Sequence, residues 1–266
     1  MSKTTDLNKA AWEEAFDVRV GGFGDDHAKI IRDNPWAFFY PCVREQLEGM
    51  RLEGKRVAQL CCNNGRELTS LVHTAHAAYG MGVDIAENII GQARQITKDV
   101  GANCEFICSN VYELSDEHDG EFDLLLTTEG ALCWMEDLPA FFRKAHALLK
   151  PGGRLLVYDI HPCGDMLAVP EEDCYDPENP MRIAYSYFRK EPFIDNYGMG
   201  YVAGKSYESK TFVSFTQTMG DIVTAVAASG LRVDSLTEYD VDIGGNFPAL
   251  SGKGYPFSYL LLASKA

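Results

Sequence analysis

Between positions 55 and 158 the apolar residues fall into short runs that alternate with stretches of helical spacing. Residues 55–61, with Val57, Ala58, Leu60 and Cys61, predict a buried strand. Residues 67–77 follow with Leu68, Leu71, Val72 and Ala75 on one helical face. The pair then repeats, as a strand over 78–84 and a helix over 86–100 that buries Ile89, Ile90, Ala93 and Ile96. Further strands are predicted at 104–108 and 122–127, and a helix over 138–149. Pro151-Gly-Gly153 stops that helix and opens a fifth strand at 154–158. Strand–helix alternation of this kind requires right-handed crossovers and parallel strands. The uninterrupted Leu124-Leu-Leu126 and Leu155-Leu-Val157 runs suit strands covered on both faces. The expected fold class is α/β, a doubly wound and mostly parallel sheet.

After Tyr158 the rhythm changes. Residues 162–181 carry four prolines and the acidic run Glu171-Glu-Asp173, which reads as a surface loop. Alternating segments at 182–188 and 207–215, with Tyr197-Gly-Met-Gly-Tyr201 between them, predict an inserted antiparallel unit, a β-rich lid over about 162–215. Thr218-Met-Gly-Asp221 has the form of a capping box opening a helix that ends at Gly230. Residues 231–239 and 259–263 read as closing strands around a Gly/Pro-rich loop at 244–256. Ahead of the sheet, 7–16 and 36–47 predict two short amphipathic helices. The expected organisation is an N-terminal helical cap at 1–50 and one domain at 51–266 that carries the lid.

Composition narrows the function classes. The 266 residues are 46% apolar and 24% charged, as in an ordinary folded chain rather than a disordered or fibrous one. The net charge of −15 repels phosphate backbones, so nucleic acid is not an expected partner. Residues 1–8 lack an apolar run behind a basic start, and nowhere do about 18 apolar residues follow one another, so neither a signal peptide nor a membrane span is expected. The eight cysteines form no CxxC and no Cys/His group at zinc spacing; reduced thiols in a cytoplasmic protein without a metal are expected. A homo-oligomer is left open.

The turn after the first strand, Gln59-Leu-Cys-Cys-Asn-Asn-Gly65, carries the first chemical signal. In an open parallel sheet, ligands bind beyond the carboxyl ends of the strands, and the first turn must let backbone approach them closely. Cys61 is small, and Asn63 and Gly65 tolerate positive φ. The N–H groups opening the next helix would face an anionic group. Asp84 ends the second strand, placed to accept ribose hydroxyls; the competing reading is a cap for the helix that starts near Ala86.

Five motifs then fall in order: 57–65, Gly82-Val-Asp-Ile-Ala-Glu87, Ser109-Asn-Val111, Phe122-Asp-Leu-Leu-Leu-Thr-Thr-Glu-Gly130 and Leu149-Lys-Pro-Gly-Gly153. Together they resemble the motifs of class I S-adenosylmethionine-dependent methyltransferases across residues 50–160, and the closing strands at 231–263 agree with that family's antiparallel seventh strand. The resemblance implies a seven-stranded Rossmann-like sheet that binds S-adenosylmethionine and releases S-adenosylhomocysteine. It makes Asp84 the ribose acid, Ile85 an apolar wall for adenine, and Asn110, beside the Val111 backbone, the partner of the adenine amine. Cys61, Cys62, Asn63 and Gly65 stand at the glycine-rich loop, and Glu129 and Gly130 where methionine and acceptor meet. Two departures are Gln59 in place of the common acid and a loop with a single glycine.

For the acceptor, a small molecule is expected, received by the insertion. His161, in Asp159-Ile-His-Pro162, is the candidate general base, against a purely structural histidine. Trp134, Tyr187, Tyr197 and Tyr201 are candidate substrate contacts, with Tyr185 and Phe188 in the same aromatic set and Tyr158 read as core. Trp12, Phe16, Phe38 and Tyr40 are candidates to cover the cofactor from the N-terminal segment. His73 and His76, lacking a third ligand, read as surface residues. Competing functions are RNA or protein methylation, an NAD oxidoreductase, which would want a fuller GxGxxG turn, and a cofactor-binding protein without catalysis.

Overall fold

The computed structural model describes residues 3–266; the first two residues of the expected cap lie outside them. Seven strands form one sheet. In chain order they are β1 (Arg56–Leu60), β2 (Tyr79–Asp84), β3 (Cys104–Cys108), β4 (Phe122–Thr128) and β5 (Leu149–Ile160), then, after a short pair β6 (Phe193–Asp195) and β7 (Phe212–Ser214) that stands apart, β8 (Leu231–Tyr239) and β9 (Ser258–Lys265). Their order across the sheet is β3-β2-β1-β4-β5-β9-β8. The first five run parallel, and β9 runs antiparallel to β5 and β8.

Among the described residues eight α-helices accompany them: α1 (Lys3–Asp17), α2 (His27–Asp33), α3 (Pro41–Gly49), α4 (Arg66–Ala75), α5 (Glu87–Val100), α6 (Leu138–Leu148), α7 (Gly200–Ala203) and α8 (Met219–Ala228). Because successive side chains on a strand point to opposite faces, the strands split their residues between two cores. Ala58, Met81, Leu125 and Leu155 pack with Phe141 and Phe142 of α6 and Val226 of α8. Val57, Leu124, Leu126 and Leu156 pack with Leu68 and Leu71 of α4, Ile90 of α5 and Leu47 of α3. The expected doubly wound sheet is the fold.

The differences lie outside the periodic stretches. α2 was not expected, because seven residues are too few to establish a period. Pro151-Gly-Gly153 lies within β5 rather than ahead of it: Leu149 already pairs with Phe122, and the register shifts before Leu124. A side chain at Gly153 would meet the carbonyl oxygens of Lys150 and Phe122 at 2.9 Å, so this bulge requires glycine. The 182–188 strand is absent, and the segment contributes one isolated bridge, Leu167 to Ile183. Ile183 and Phe188 are exposed there, so their alternation has no core to face. The antiparallel pair in the insertion is β6 with β7 instead. The Asn8 side chain fastens α1 to β7: its amide donates to the Val213 carbonyl and accepts from the Val213 N–H, both at 2.8 Å.

Candidate functional site

The carboxyl ends of β1, β2, β4 and β5 open into one cavity of about 1320 Å³, roofed by α1 and by parts of residues 162–215. A single small-molecule site typically holds about 300–1,000 Å³, so this one has room for a nucleoside-sized ligand and a second molecule.

The wall is built first by the turn after β1. Cys61 and Asn63 adopt left-handed backbone, with φ of 57° and 48°, and Glu129 at the end of β4 does the same at 51°. For non-glycine residues this costs about 1–2 kcal/mol each, and all three line the cavity, where such strain is a mark of function. Gly65, at φ 67°, is glycine for another reason. A side chain there would lie 2.3 Å from the Phe106 ring, so Gly65 makes room for core and is not on the cavity wall. Cys62 is buried beside it and does line the cavity.

Asp84 binds the turn together. Its carboxylate accepts from the Asn63 N–H at 2.8 Å, from Ile85 N–H at 2.7 Å and from Ala86 N–H at 3.3 Å. Asp84 thus faces the cavity and ties the two turns together, but it does not cap α5, whose N-cap Ala86 has no side-chain bond. Three of about four lone-pair directions are used, which leaves one on Oδ2 for a ligand hydroxyl. Burial raises the carboxyl from its usual range, and the three backbone N–H groups oppose that shift. Ile85, Asn110 and Val111 continue the wall. The Asn110 oxygen already accepts from the Tyr112 N–H at 3.1 Å, so one lone pair and its NH₂ group remain for a ligand.

A second group of polar residues lies beneath the β1–β4 edge, and the sequence reading missed most of it. Gln59 donates to Glu67 at 2.5 Å and to Thr128 at 2.9 Å, and the Thr128 hydroxyl donates to Glu67. Glu67 on α4 thus brings a carboxylate to the place where Gln59 lacks one. Its only sequence signal was an acid in the first turn of a helix. The Gln59 Oε1 atom is buried without a hydrogen-bond partner. Arg66 reaches Glu129 at 3.3 Å. The Glu129 carboxyl is nevertheless pushed up to about 8, chiefly by burial and then by the Glu67 carboxylate.

At the end of β5 the important residue in the Asp159-Ile-His-Pro162 stretch is the aspartate. Asp159 accepts from the Leu132 N–H at 2.9 Å, the Ile160 N–H at 2.8 Å and the Gly130 N–H, which fixes the loop after β4. His161 is buried and turned away from the cavity. Its Nδ1 accepts from the Cys163 N–H at 3.1 Å, so Nε2 carries the proton and donates to Glu238 at 2.7 Å. Burial lowers its pKa, with Glu238 opposing. With both nitrogens engaged and no access to the cavity, the expected base has no route to a ligand.

Of the aromatic candidates, Trp134, Tyr185, Tyr197, Tyr201 and Trp12 line the cavity. Trp12 and Trp134 meet edge-on at 5.6 Å, and the Asn63 amide donates to the Tyr201 hydroxyl at 3.4 Å. Tyr187 does not line it, because its hydroxyl accepts from Met219 N–H and caps α8. Phe188 is exposed. Phe16, Phe38 and Tyr40 pack against Ile89, His27 and Tyr158 respectively, and His73 and His76 lie on the surface. Among the described residues no group of three His, Cys, Asp or Glu is arranged for a metal, and no helix is long and apolar enough to cross a membrane. All eight cysteines are free.

The arrangement suits a ligand with hydroxyls toward Asp84, an apolar ring between Ile85 and Val111, and a cationic amine toward Gln59 and Glu67. Comparison with known proteins points the same way. Residues 57–153 match the sequence model of a family described as a methyltransferase domain. The chain is 28% identical over 179 residues to phthiotriol/phenolphthiotriol dimycocerosates methyltransferase 1 of Mycobacterium ulcerans, covering 61% of this chain and 65% of that protein. It is 30% identical over 131 residues to the ubiquinone biosynthesis O-methyltransferase of Xanthomonas euvesicatoria, covering 48% and 54%. The chain thus spans about half the length of the curated relatives it matches. In structure it resembles an S-adenosylmethionine dependent methyltransferase from Mesorhizobium loti, with a TM-score of 0.59 at 23% identity, over 83% of this chain and 96% of that one. At that identity the likeness shows the fold.

Proposed function

We propose that the chain is a class I S-adenosylmethionine-dependent methyltransferase, which its match to a methyltransferase-domain model over residues 57–153 supports, and that it methylates a small molecule bound under the 162–215 insertion. The observation that carries this reading is that one cavity joins the β1–β2 edge, with Asp84, Asn63 and Asn110, to a roof of insertion and α1 side chains. In this reading Asp84 takes one ribose hydroxyl, Ile85 and Val111 sandwich the adenine, and Asn110 meets its edge. The backbone at 61–63 lies along the amino-acid tail, whose ammonium faces Gln59, Glu67 and Glu129. When bound, the donor supplies a methyl group on a positively charged sulfur that departs as a neutral thioether.

What the protein contributes is alignment and exclusion of water, and holding reactants in place can remove about 7–11 kcal/mol of barrier. Gly130, held by Asp159, and Trp134 bound the space between donor and acceptor. No metal is invoked. The net charge of −15 and the absence of a basic wall favour a small molecule over RNA. The names of the Mycobacterium and Xanthomonas relatives also point to low-molecular-weight acceptors. A cytoplasmic enzyme is the simplest setting.

Calorimetry tests the premise of the site. S-adenosylmethionine and S-adenosylhomocysteine are each expected to bind once per chain. A folded protein that binds neither would sink the proposal.

A further inference from the structure

Among the described residues, ten aspartate and glutamate side chains line the cavity, and Arg66 is its only Lys or Arg. Arg66 is already paired with Glu129. Most of the carboxylates are accounted for: Asp84 and Asp159 hold backbone N–H groups, Glu67 holds Gln59, and Glu172 holds the Tyr185 hydroxyl. Glu171 and Glu208 lack a partner among the described residues but are exposed to solvent; Asp165 is the half-buried carboxylate left without one. It sits in the turn Gly164–Met166 just after β5, on the cavity wall, and its carboxylate makes no hydrogen bond or ion pair with any described residue. Beside it stand Leu167, Phe247 and Phe257, packed with Val169 and Tyr255 into an apolar cluster.

We propose that the methyl acceptor is an amine carried on an apolar body, and that Asp165 is the residue that selects it. This rests on the methyltransferase reading above. A carboxylate in apolar surroundings without a partner is costly, and a cation is the ligand that relieves it. The same wall repels phosphates, diphosphates and carboxylates, and gives a neutral hydroxyl no advantage. The nearby ionisable groups are Asp159, Cys133, Cys163 and Tyr255, none of them a cation. Burial and the Asp159 carboxylate push the Asp165 carboxyl up to about 7. It can therefore also take the proton that an ammonium must shed to become nucleophilic. The N–H bond breaks, an O–H bond forms on Asp165, and a neutral amine and a neutral carboxyl remain.

The test is binding to the S-adenosylhomocysteine-loaded protein, with phenethylamine and N-methylphenethylamine set against 2-phenylethanol and 3-phenylpropanoate. At least one amine is expected to bind about tenfold or more tightly than the alcohol, with the carboxylate weakest. In Asp165→Asn and Asp165→Ala that preference is expected to disappear, while affinity for the alcohol and for S-adenosylhomocysteine stays within about twofold. The proposal fails if neither amine outbinds the alcohol, or if both variants keep the preference. Failure of S-adenosylhomocysteine to bind would instead remove the methyltransferase reading; the amine comparison is then repeated on the free protein and judges Asp165 separately.

Discussion

Replacing Asp84 by asparagine keeps its size and removes its charge. In the native turn one carboxylate oxygen accepts from Asn63 N–H and the other from Ile85 and Ala86 N–H. An asparagine amide has one acceptor atom, so its NH₂ must face either Asn63 N–H or the Ile85 and Ala86 pair, donor against donor. Hydrogen bonds to a charged acceptor contribute about 1.5–3 kcal/mol, and a buried N–H left unpaired costs about 1–3 kcal/mol. The ribose hydroxyl assigned to the remaining Oδ2 lone pair loses a charged acceptor, and the turn against the amino-acid tail loses its tie. Taking roughly 2 kcal/mol as the loss to the ligand, at 1.4 kcal/mol per tenfold, affinity for S-adenosylhomocysteine falls about 30-fold. Calorimetry at neutral pH measures this directly, and differential scanning calorimetry on the same sample reports the cost to the turn. A variant that melts several degrees lower yet binds S-adenosylhomocysteine with native affinity would refute the reasoning. Asp84 would then be a strut of the turn and the ribose would lie elsewhere.

Two further outcomes follow from local geometry. Gly65→Ala combines a left-handed backbone, about 1–2 kcal/mol, with overpacking against Phe106, about 1–3 kcal/mol, so at about 2–4 °C per kcal/mol the melting temperature should fall by roughly 4–20 °C; an unchanged melting temperature would mean that Phe106 and the turn can shift freely. His161→Asn breaks the bonds to Glu238 and Cys163 N–H, and should lower the melting temperature while leaving the saturated rate of methyl transfer within about threefold; a loss of the about 10²–10⁴-fold that a general base supplies would reinstate His161 as that base.

The sequence by itself determined the sheet. Apolar period is a local property, and wherever it extends over a full strand or three helical turns, as from Val57 to Val157, one face or both must be buried and the alternation leaves little choice of topology. It also singled out Asp84, because the end of a strand followed by a helix constrains which side chain faces the crevice. It failed where the pattern was short or the partner distant. The seven residues of α2, the bulge at Pro151-Gly-Gly153 and the exposed alternation at 182–188 carry no usable period. At the site the errors have the same origin. Within Asp159-Ile-His-Pro162 the chemistry of histidine drew attention, but only the packing of β8 decided that Glu238 engages its ring and that Asp159 instead secures the cavity loop. Glu67 beside Gln59, Asn8 clamped to Val213 some 205 positions away, and Asp165 left without a partner are all set by tertiary contacts. No residue records in its own neighbourhood which distant groups will surround it, and for buried carboxylates those surroundings fix both charge and role.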